Sequence, residues 1–252
     1  MIRLIAIVLT HNEAQHIQDC LATLDFADER LIFDSNSTDG TIELAEKAGA
    51  AVLQQPFENF AAQRNAALQA VAGRAEWVLF VDADERVTPE LADEIGSVLK
   101  NPDAVGYRIP RFNYLFGKLT TGAGWYPDYQ TRLLQVGQAH YDPDRKVHEV
   151  VLLDGEEGTL KEHFIHYNYR DIQQFYEKQR RYVGLDAQIM FEQGSRPKPQ
   201  NYILQPLRHF RWRFIELKGY RDGWHGFRLS FLMAWYEFLK YIMLRRNWKM
   251  NE

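Results

Sequence analysis

The sequence predicts an α/β fold, a mostly parallel sheet covered by helices on both faces, followed by a helical C-terminal extension. Three observations predict it. Over about the first hundred residues, short apolar runs alternate with segments of helical period. From Ala104 to Leu153 the helical period fades into further strand-like runs between aromatic loops. Beyond Arg170 the chain is dominated by long helical segments rich in basic and aromatic residues.

In chain order, Arg3 to Leu9 reads as a buried strand. Asn12 is placed to N-cap a helix running to about Leu24, since its side chain can accept from the helix's first free N–H groups. Leu31-Ile32-Phe33 is a second strand, Asp39 to Ala48 a short helix stopped by Gly49, and Ala51 to Leu53 a third strand. Asn59 to Val71 is helical and ends near Gly73, and Trp77 to Val81 is a fourth strand. Thr88-Pro89-Glu90 opens another helix with a capping hydroxyl, a proline at its first position and an acid in its first turn. Its apolar spacing is Leu91, Ile95, Val98 and Leu99. Strands are expected at 106–109, 130–136 and 146–153, a long charged helix at 170–193, a linker at 194–199, and helices at about 203–217 and 224–246. The expected division is a catalytic domain, 1–168, and a helical extension, 169–252.

Composition is that of an ordinary globular chain, with 46% hydrophobic and 25% charged residues. The single cysteine, Cys20, excludes an internal disulfide framework. It falls on the apolar face Ile17, Cys20, Leu21, Leu24, so it reads as core. The apolar N-terminus lacks a cleavage site and runs into polar residues, which fits a first strand better than a signal peptide. The net charge of −4 hides an asymmetry: residues 1–202 hold 20 Lys and Arg against 30 Asp and Glu, and residues 203–252 hold 10 against 4. A basic, aromatic tail on an acidic body points to an anionic partner for the tail.

The chemistry concentrates at strand ends. Asp82-Ala83-Asp84 follows the fourth apolar run, Trp77 to Val81. In open α/β sheets ligands collect at the carboxyl ends of strands. Two acids one residue apart repel unless a cation or a base sits with them, and hard oxygen ligands suit Mg²⁺ or Mn²⁺ shared with substrate phosphates. Thr10-His11-Asn12-Glu13 follows the first strand and Asp34-Ser35-Asn36-Ser37-Thr38-Asp39-Gly40-Thr41 the second, while Arg64-Asn65 lies in the third helix. Any one of these clusters fits turn and cap chemistry, but together they converge on one sheet edge.

In this order and spacing these segments, with Val8-Leu9 ahead of them and Ala62-Gln63 before Arg64, resemble family 2 glycosyltransferases of the GT-A fold, over Leu4 to about Glu149. Trp125-Tyr126-Pro127-Asp128-Tyr129-Gln130-Thr131-Arg132-Leu133 and Val147-His148-Glu149 resemble the branch that includes lipopolysaccharide inner-core glucosyltransferases. The resemblance implies a sugar moved from a nucleotide diphosphate, UDP above all, to a hydroxyl with inversion. It implies that Thr10, Asn12, Glu13 and Ser35 line the nucleotide pocket, that Asp34 meets the base and Arg64 the pyrophosphate, and that Asp82, Ala83 and Asp84 lie at the sugar nucleotide. The divalent cation falls to Asp84, Asp82 and His148, with His163 and His166 as weaker candidates. Asp128 is the implied base and Glu149 its competitor; Pro127 stands where many members carry a second acid. Trp125, Gln130 and Arg132 are the expected acceptor-binding residues.

The tail carries a strongly apolar stretch, Gly226 to Leu244, interrupted by Arg228, Glu237 and Lys240. Charges near a bilayer centre are costly, so a helix lying in the interface of an anionic membrane is expected of residues 203–252, with packing on the domain or on a second subunit as the other reading. The expected partners are therefore a nucleotide-sugar donor, a glycan or glycolipid acceptor and an anionic membrane surface. The expected location is peripheral, on the inner face of the cytoplasmic membrane. Nucleic acid finds no support in the strand-end residues. A sugar-nucleotide pyrophosphorylase needs a glycine-rich loop after the first strand, which is absent here, and an Asp-x-Asp phosphatase carries its acids after strand one. The remaining alternative is a non-catalytic, membrane-associated sugar-nucleotide-binding protein.

Overall fold

The computed structural model describes residues 2–142 and 150–251. The chain divides into two compact units, the first made of Met1–Arg111 and Tyr129–His166, the second of Phe112–Asp128 and Tyr167–Glu252. The second unit begins close to the expected boundary but also takes in 112–128, which the sequence reading assigns to the catalytic half.

The first unit is built on β1 (Ile2–Thr10), β2 (Glu29–Asp34), β3 (Ala51–Gln54) and β4 (Ala75–Asp82). These pair in the order β3-β2-β1-β4, all parallel. Helices α1 (Ile17–Leu21), α2 (Thr41–Lys47) and α3 (Phe60–Val71) connect them. The apolar runs serve two cores at once, because strand side chains alternate faces. Leu4, Ala6 and Val8 of β1 and Trp77, Leu79 and Val81 of β4 join Cys20 of α1 on one side. Ile5, Ile7, Val78 and Phe80 join Ala67 and Val71 of α3 on the other. Full burial of one such side chain contributes about 1.5–3 kcal/mol. Cys20 is fully buried and its thiol pKa is pushed up by that burial, as befits a core residue.

Beyond β4 the sheet becomes mixed, with antiparallel pairings beside a parallel one. A tight turn leads to β5 (Glu85–Val87), and α4 (Pro89–Val98) follows, capped by Thr88 Oγ1, which accepts from Leu91 N at 3.2 Å. Strands β6 (Gly106–Leu115), β7 (Lys118–Thr120), β8 (Asp128–Gln135), β9 (Ala139–Tyr141), β10 (Val151–Leu153), β11 (Glu157–Thr159) and β12 (Phe164–Tyr169) complete the sheets. The order continues β4-β8-β6-β12-β5, with β8 antiparallel to β4, β12 antiparallel to β5 and β11 parallel to β6. Strands β5, β7, β9, β11 and β12 are absent from the sequence reading. Four of them span three residues, too short for a period to register.

One expected cap is corrected. Asn12 does not cap α1, which starts five residues later; it sits at φ 59° in a left-handed turn. Asn59 caps α3, accepting from Ala62 N at 2.9 Å.

The second unit holds α5 (Ile172–Glu192), α6 (Asn201–Arg211), a π-turn at Trp212–Glu216, a 3₁₀ turn at Gly219–Asp222 and α7 (Gly223–Asn251). Phe175 and Val183 of α5 pack with Leu229 and Tyr236 of α7, and Ala187 with Tyr241 and Leu244. Within the stretch expected to lie in a membrane interface, Leu229, Tyr236, Tyr241 and Leu244 are buried and Phe231, Trp235 and Ile242 are exposed. Among the described residues no helix is long and apolar enough to cross a membrane. Gly226 fixes how closely α7 meets the 3₁₀ turn: a Cβ there would fall 1.9 Å from the Gly219 carbonyl oxygen. Gly226→Ala is therefore expected to cost about 1–3 kcal/mol, the usual cost of overpacking. Thermal melting checks this, and an unchanged Tm would mean that the turn yields freely.

Candidate active site

The acidic motif lies where the apolar strand runs out. Asp82 is the last residue of β4, and Ala83 and Asp84 form the turn into β5. Asp82 is gripped by two guanidiniums: Arg132 Nη2, from β8, donates to Oδ2, and Arg64 Nη2, from α3, lies 3.4 Å from Oδ1. Burial by itself would raise the Asp82 pKa. The charges of Arg132, Arg64 and Arg111 outweigh it and hold the carboxyl well below the usual range. Burial pulls on Arg132 in the opposite sense, and Asp82 and Glu85 more than restore its proton.

Behind this pair sits Glu85, wholly buried. Its Oε2 accepts from Asp82 N at 2.9 Å, its Oε1 from Arg111 Nη1 at 2.9 Å, and Arg132 Nη2 is 3.6 Å away. A buried carboxylate is tolerated when charges and N–H groups surround it in this way. Ala83 contributes its carbonyl, which accepts from Arg86 Nη1 at 2.8 Å. The turn carrying Asp84 is thereby fixed from below.

Asp84 meets a histidine. Antiparallel pairing sets His166 of β12 opposite Glu85 of β5, and His166 Nε2 lies 3.5 Å from Asp84 Oδ2. The sequence reading ranks His148 first for this role; His148 and its neighbour Glu149 lie outside the described residues. Among the described residues no group of three or more His, Cys, Asp or Glu converges as a metal cage. What the residues do fit is a divalent cation held by the Asp84 carboxylate and the His166 imidazole, with phosphate oxygens completing its shell. Mg²⁺ and Mn²⁺ are commonly bound this way, through few protein ligands.

The loops after β1 and β2 are laced together. Asn12 Oδ1 accepts from Thr38 N at 2.9 Å and Asn12 N donates to Ser37 Oγ at 2.8 Å. Glu13 N donates to Thr41 Oγ1 at 2.8 Å. Thr10 Oγ1 donates to Asp34 Oδ2 at 2.7 Å, while Asp34 Oδ1 accepts from Ser37 N at 2.7 Å. Asp34, expected at the base, is wholly buried in this lacing. Ser35 Oγ accepts from Gln63 Nε2 at 2.7 Å, which ties the second loop to α3. The short polar residues at the strand ends thus serve as one another's caps, the local hydrogen bonding that Asn, Asp, Ser and Thr favour.

Arg64 also stacks on aromatic faces, 5.1 Å from the Phe80 ring centroid and 5.6 Å from that of Tyr141. Arg132, expected at the acceptor, is instead buried against Asp82. Gln130 lines a cavity of about 480 Å³ with Arg64, Arg132, Tyr141 and Glu157.

Within the second unit, Asp128 has a buried companion that the sequence reading misses. Asn113, 1% exposed, donates from Nδ2 to Asp128 Oδ2 at 3.0 Å and to the Trp125 carbonyl at 2.8 Å. Its own Oδ1 accepts from Asn168 Nδ2 at 3.4 Å. Both amide hydrogens are thus aimed, which fixes the carboxylate's orientation. Trp125 stands edge-on to Tyr169, with ring centroids 6.1 Å apart. Its Nε1 is buried without a hydrogen-bond partner among the described residues. Arg111, His166 and Asn113 carry no motif; the one available signal is the two-residue alternation that turns Phe164 and His166 to the same side of β12.

Known proteins resemble this chain along most of its length. A family model described as glycosyl transferase family 2 matches residues 5–145, more than half of the chain. A lipopolysaccharide core biosynthesis glycosyltransferase, LpsC of Rhizobium meliloti, is 29% identical over 241 residues, covering 93% of this chain and 88% of that protein. An uncharacterized glycosyltransferase of Rickettsia bellii is 27% identical over 252 residues, covering 95% and 85%. Among solved structures, residues 1–349 of S. aureus TarS in complex with UDP align over 99% of this chain and 92% of that one, at 15% identity and a TM-score of 0.49.

Proposed function

This chain belongs to glycosyl transferase family 2, and on that premise we propose that it moves a sugar, with inversion, from a nucleotide diphosphate to a hydroxyl of a lipid-linked glycan. The donor is a UDP-sugar and the acceptor a glycan of the lipopolysaccharide-core kind, met at the inner face of the cytoplasmic membrane. The relative from Rhizobium meliloti, named for lipopolysaccharide core biosynthesis and alike over nearly the whole chain, supports that acceptor class. The observation that carries the reading is the paired motif at the end of β4: Asp82 held ionised by Arg64 and Arg132, and Asp84 beside His166.

Asp84 and His166 would hold the divalent cation, whose charge would stabilise the departing diphosphate. Asp82 fixes the turn through its arginines and lies at the ribose side of the donor. Thr10, Asn12, Glu13, Asp34 and Ser35 shape the nucleotide pocket, the loops carrying them being braced in advance by their mutual hydrogen bonds. Arg64 lies at the pyrophosphate, where a planar guanidinium suits paired phosphate oxygens. Asp128 takes the proton from the acceptor hydroxyl, oriented for it by Asn113. The buried N–H of Trp125 is a donor suited to an acceptor oxygen. Gln130 contributes to the acceptor side.

The experiment is release of UDP from a panel of UDP-sugars with a lipid-glycan extract, with and without Mn²⁺. One donor turned over in a metal-dependent way is the expected result. Binding of UDP without turnover of any donor would instead support a non-catalytic sugar-nucleotide-binding protein.

A further inference from the structure

Helix α6 leaves an apolar stripe uncovered. Helix α6 turns Tyr202 and Phe210 toward α7: Tyr202 stands 6.4 Å from Phe238 and from Tyr241, and Phe210 stands 5.6 Å from Phe227, centroid to centroid. Ile203, Leu204 and Leu207 of the same helix are 66%, 52% and 61% exposed. Leu207 is three residues from Leu204 and four from Ile203, the spacings that make helical side chains neighbours, so these three form a single stripe. The π-turn extends it with Trp212 and Ile215, 44% and 55% exposed, and Trp224 at the start of α7 is 76% exposed. Contiguous apolar exposure of this kind marks an interaction surface.

The charge around the stripe is predominantly positive. Arg208 and Arg211 flank it on α6 and are exposed, and Lys218 and Arg221 continue beyond the π-turn. From Ile203 to Arg221 the single acid is Glu216, 3.5 Å from Arg211 in a solvent-exposed pair of little energetic weight. Arg213, also in this stretch, is turned inward, where it donates to the Ala123 carbonyl at 2.6 Å. An amphipathic helix with apolar and aromatic residues on one arc and arginines at its border fits the headgroup region of an anionic bilayer.

We propose that the outer arc of α6, with the π-turn that follows it, docks this chain onto an anionic lipid surface, with Ile203, Leu204, Leu207 and Ile215 in the acyl boundary and Arg208 and Arg211 on lipid phosphates. On α7 the apolar residues are divided: Leu229, Tyr241 and Leu244 are buried, while Phe231, Trp235 and Ile242 are 56%, 48% and 43% exposed. The inference rests on the reading of a lipid-linked acceptor, and its test is independent of turnover.

The test is flotation of the full chain with phosphatidylcholine vesicles, with and without phosphatidylglycerol. Wild type is expected to float with the anionic vesicles, less so as salt rises, and not with the neutral ones. The double variants I203E/L207E and R208E/R211E are each expected to lower the apparent vesicle affinity about tenfold or more. Both sets lie on the exposed arc, so circular dichroism and Tm are expected to match wild type, as is donor hydrolysis without vesicles. Failure of wild type to float, or variants floating as well as wild type, overturns the proposal. So does a change from dimer to monomer in both variants without vesicle binding, which assigns the face to a second copy, or tighter binding to duplex DNA than to vesicles. Flotation without any UDP release would remove the transferase reading and leave the docking face standing.

Discussion

Asp128→Asn is expected to lower kcat by about 10²–10⁴-fold, the usual contribution of a positioned general base, with donor binding unchanged. The substitution keeps the side chain's shape and removes its ability to take a proton. The geometry behind the expectation is local to the second unit: Asn113, buried and held by Asn168 and the Trp125 carbonyl, donates to one oxygen of Asp128. That bond favours the ionised carboxylate, so Asn113→Ala is expected to shift the acid limb of the kcat/KM profile to higher pH. A merely structural role for Asn113 would lower activity evenly across pH. The readouts are steady-state UDP release and its pH profile. If Asp128→Asn retains wild-type turnover, the base is elsewhere, and Glu149 is the next residue to test.

Asp84→Ala is the second large effect, an expected loss of about 10²–10³-fold in kcat together with a weakened response to added Mn²⁺. Asp84 stands beside His166 at 3.5 Å, whereas Asp82 is engaged by Arg132 and Arg64. The two acids of the motif are thus predicted to fail differently. His166→Ala is expected to raise the Mn²⁺ concentration needed for half-maximal rate, with a smaller loss at saturating metal. Titration of activity against Mn²⁺ for wild type and both variants separates these outcomes. A metal response that is identical in all three would remove Asp84 and His166 from the cation.

The parallel half of the fold is legible in the chain's local pattern. Ile2–Thr10 and Ala75–Asp82 are strands because each run is apolar at odd and even positions alike, and such a run is stable only between two covered faces. The same pattern places α3 and, through its Thr88 cap, α4, and it identifies the acidic motif by its position at the end of an apolar run. The family followed from the order of the motifs.

The tertiary structure decided what those motifs touch. Strands of three residues, such as β5, are too short to carry a period, so the pairing that sets His166 opposite Glu85 was invisible in the chain. Asn12 has the composition of a cap but was taken by a loop contact to Thr38, because a side chain that can cap a helix can equally cap a neighbouring turn. The partners of Asp82 come from α3 and β8, at separations of 18 and 50 residues, where no local spacing rule reaches. The tail shows the same division. Its apolar content was plain in the sequence, but which apolar residues are packed and which face outward depends on where α5 lies against α7. Local pattern encodes which surfaces must be buried. Partner identity is set by long-range packing, and in this chain the chemistry of the site depends on partner identity.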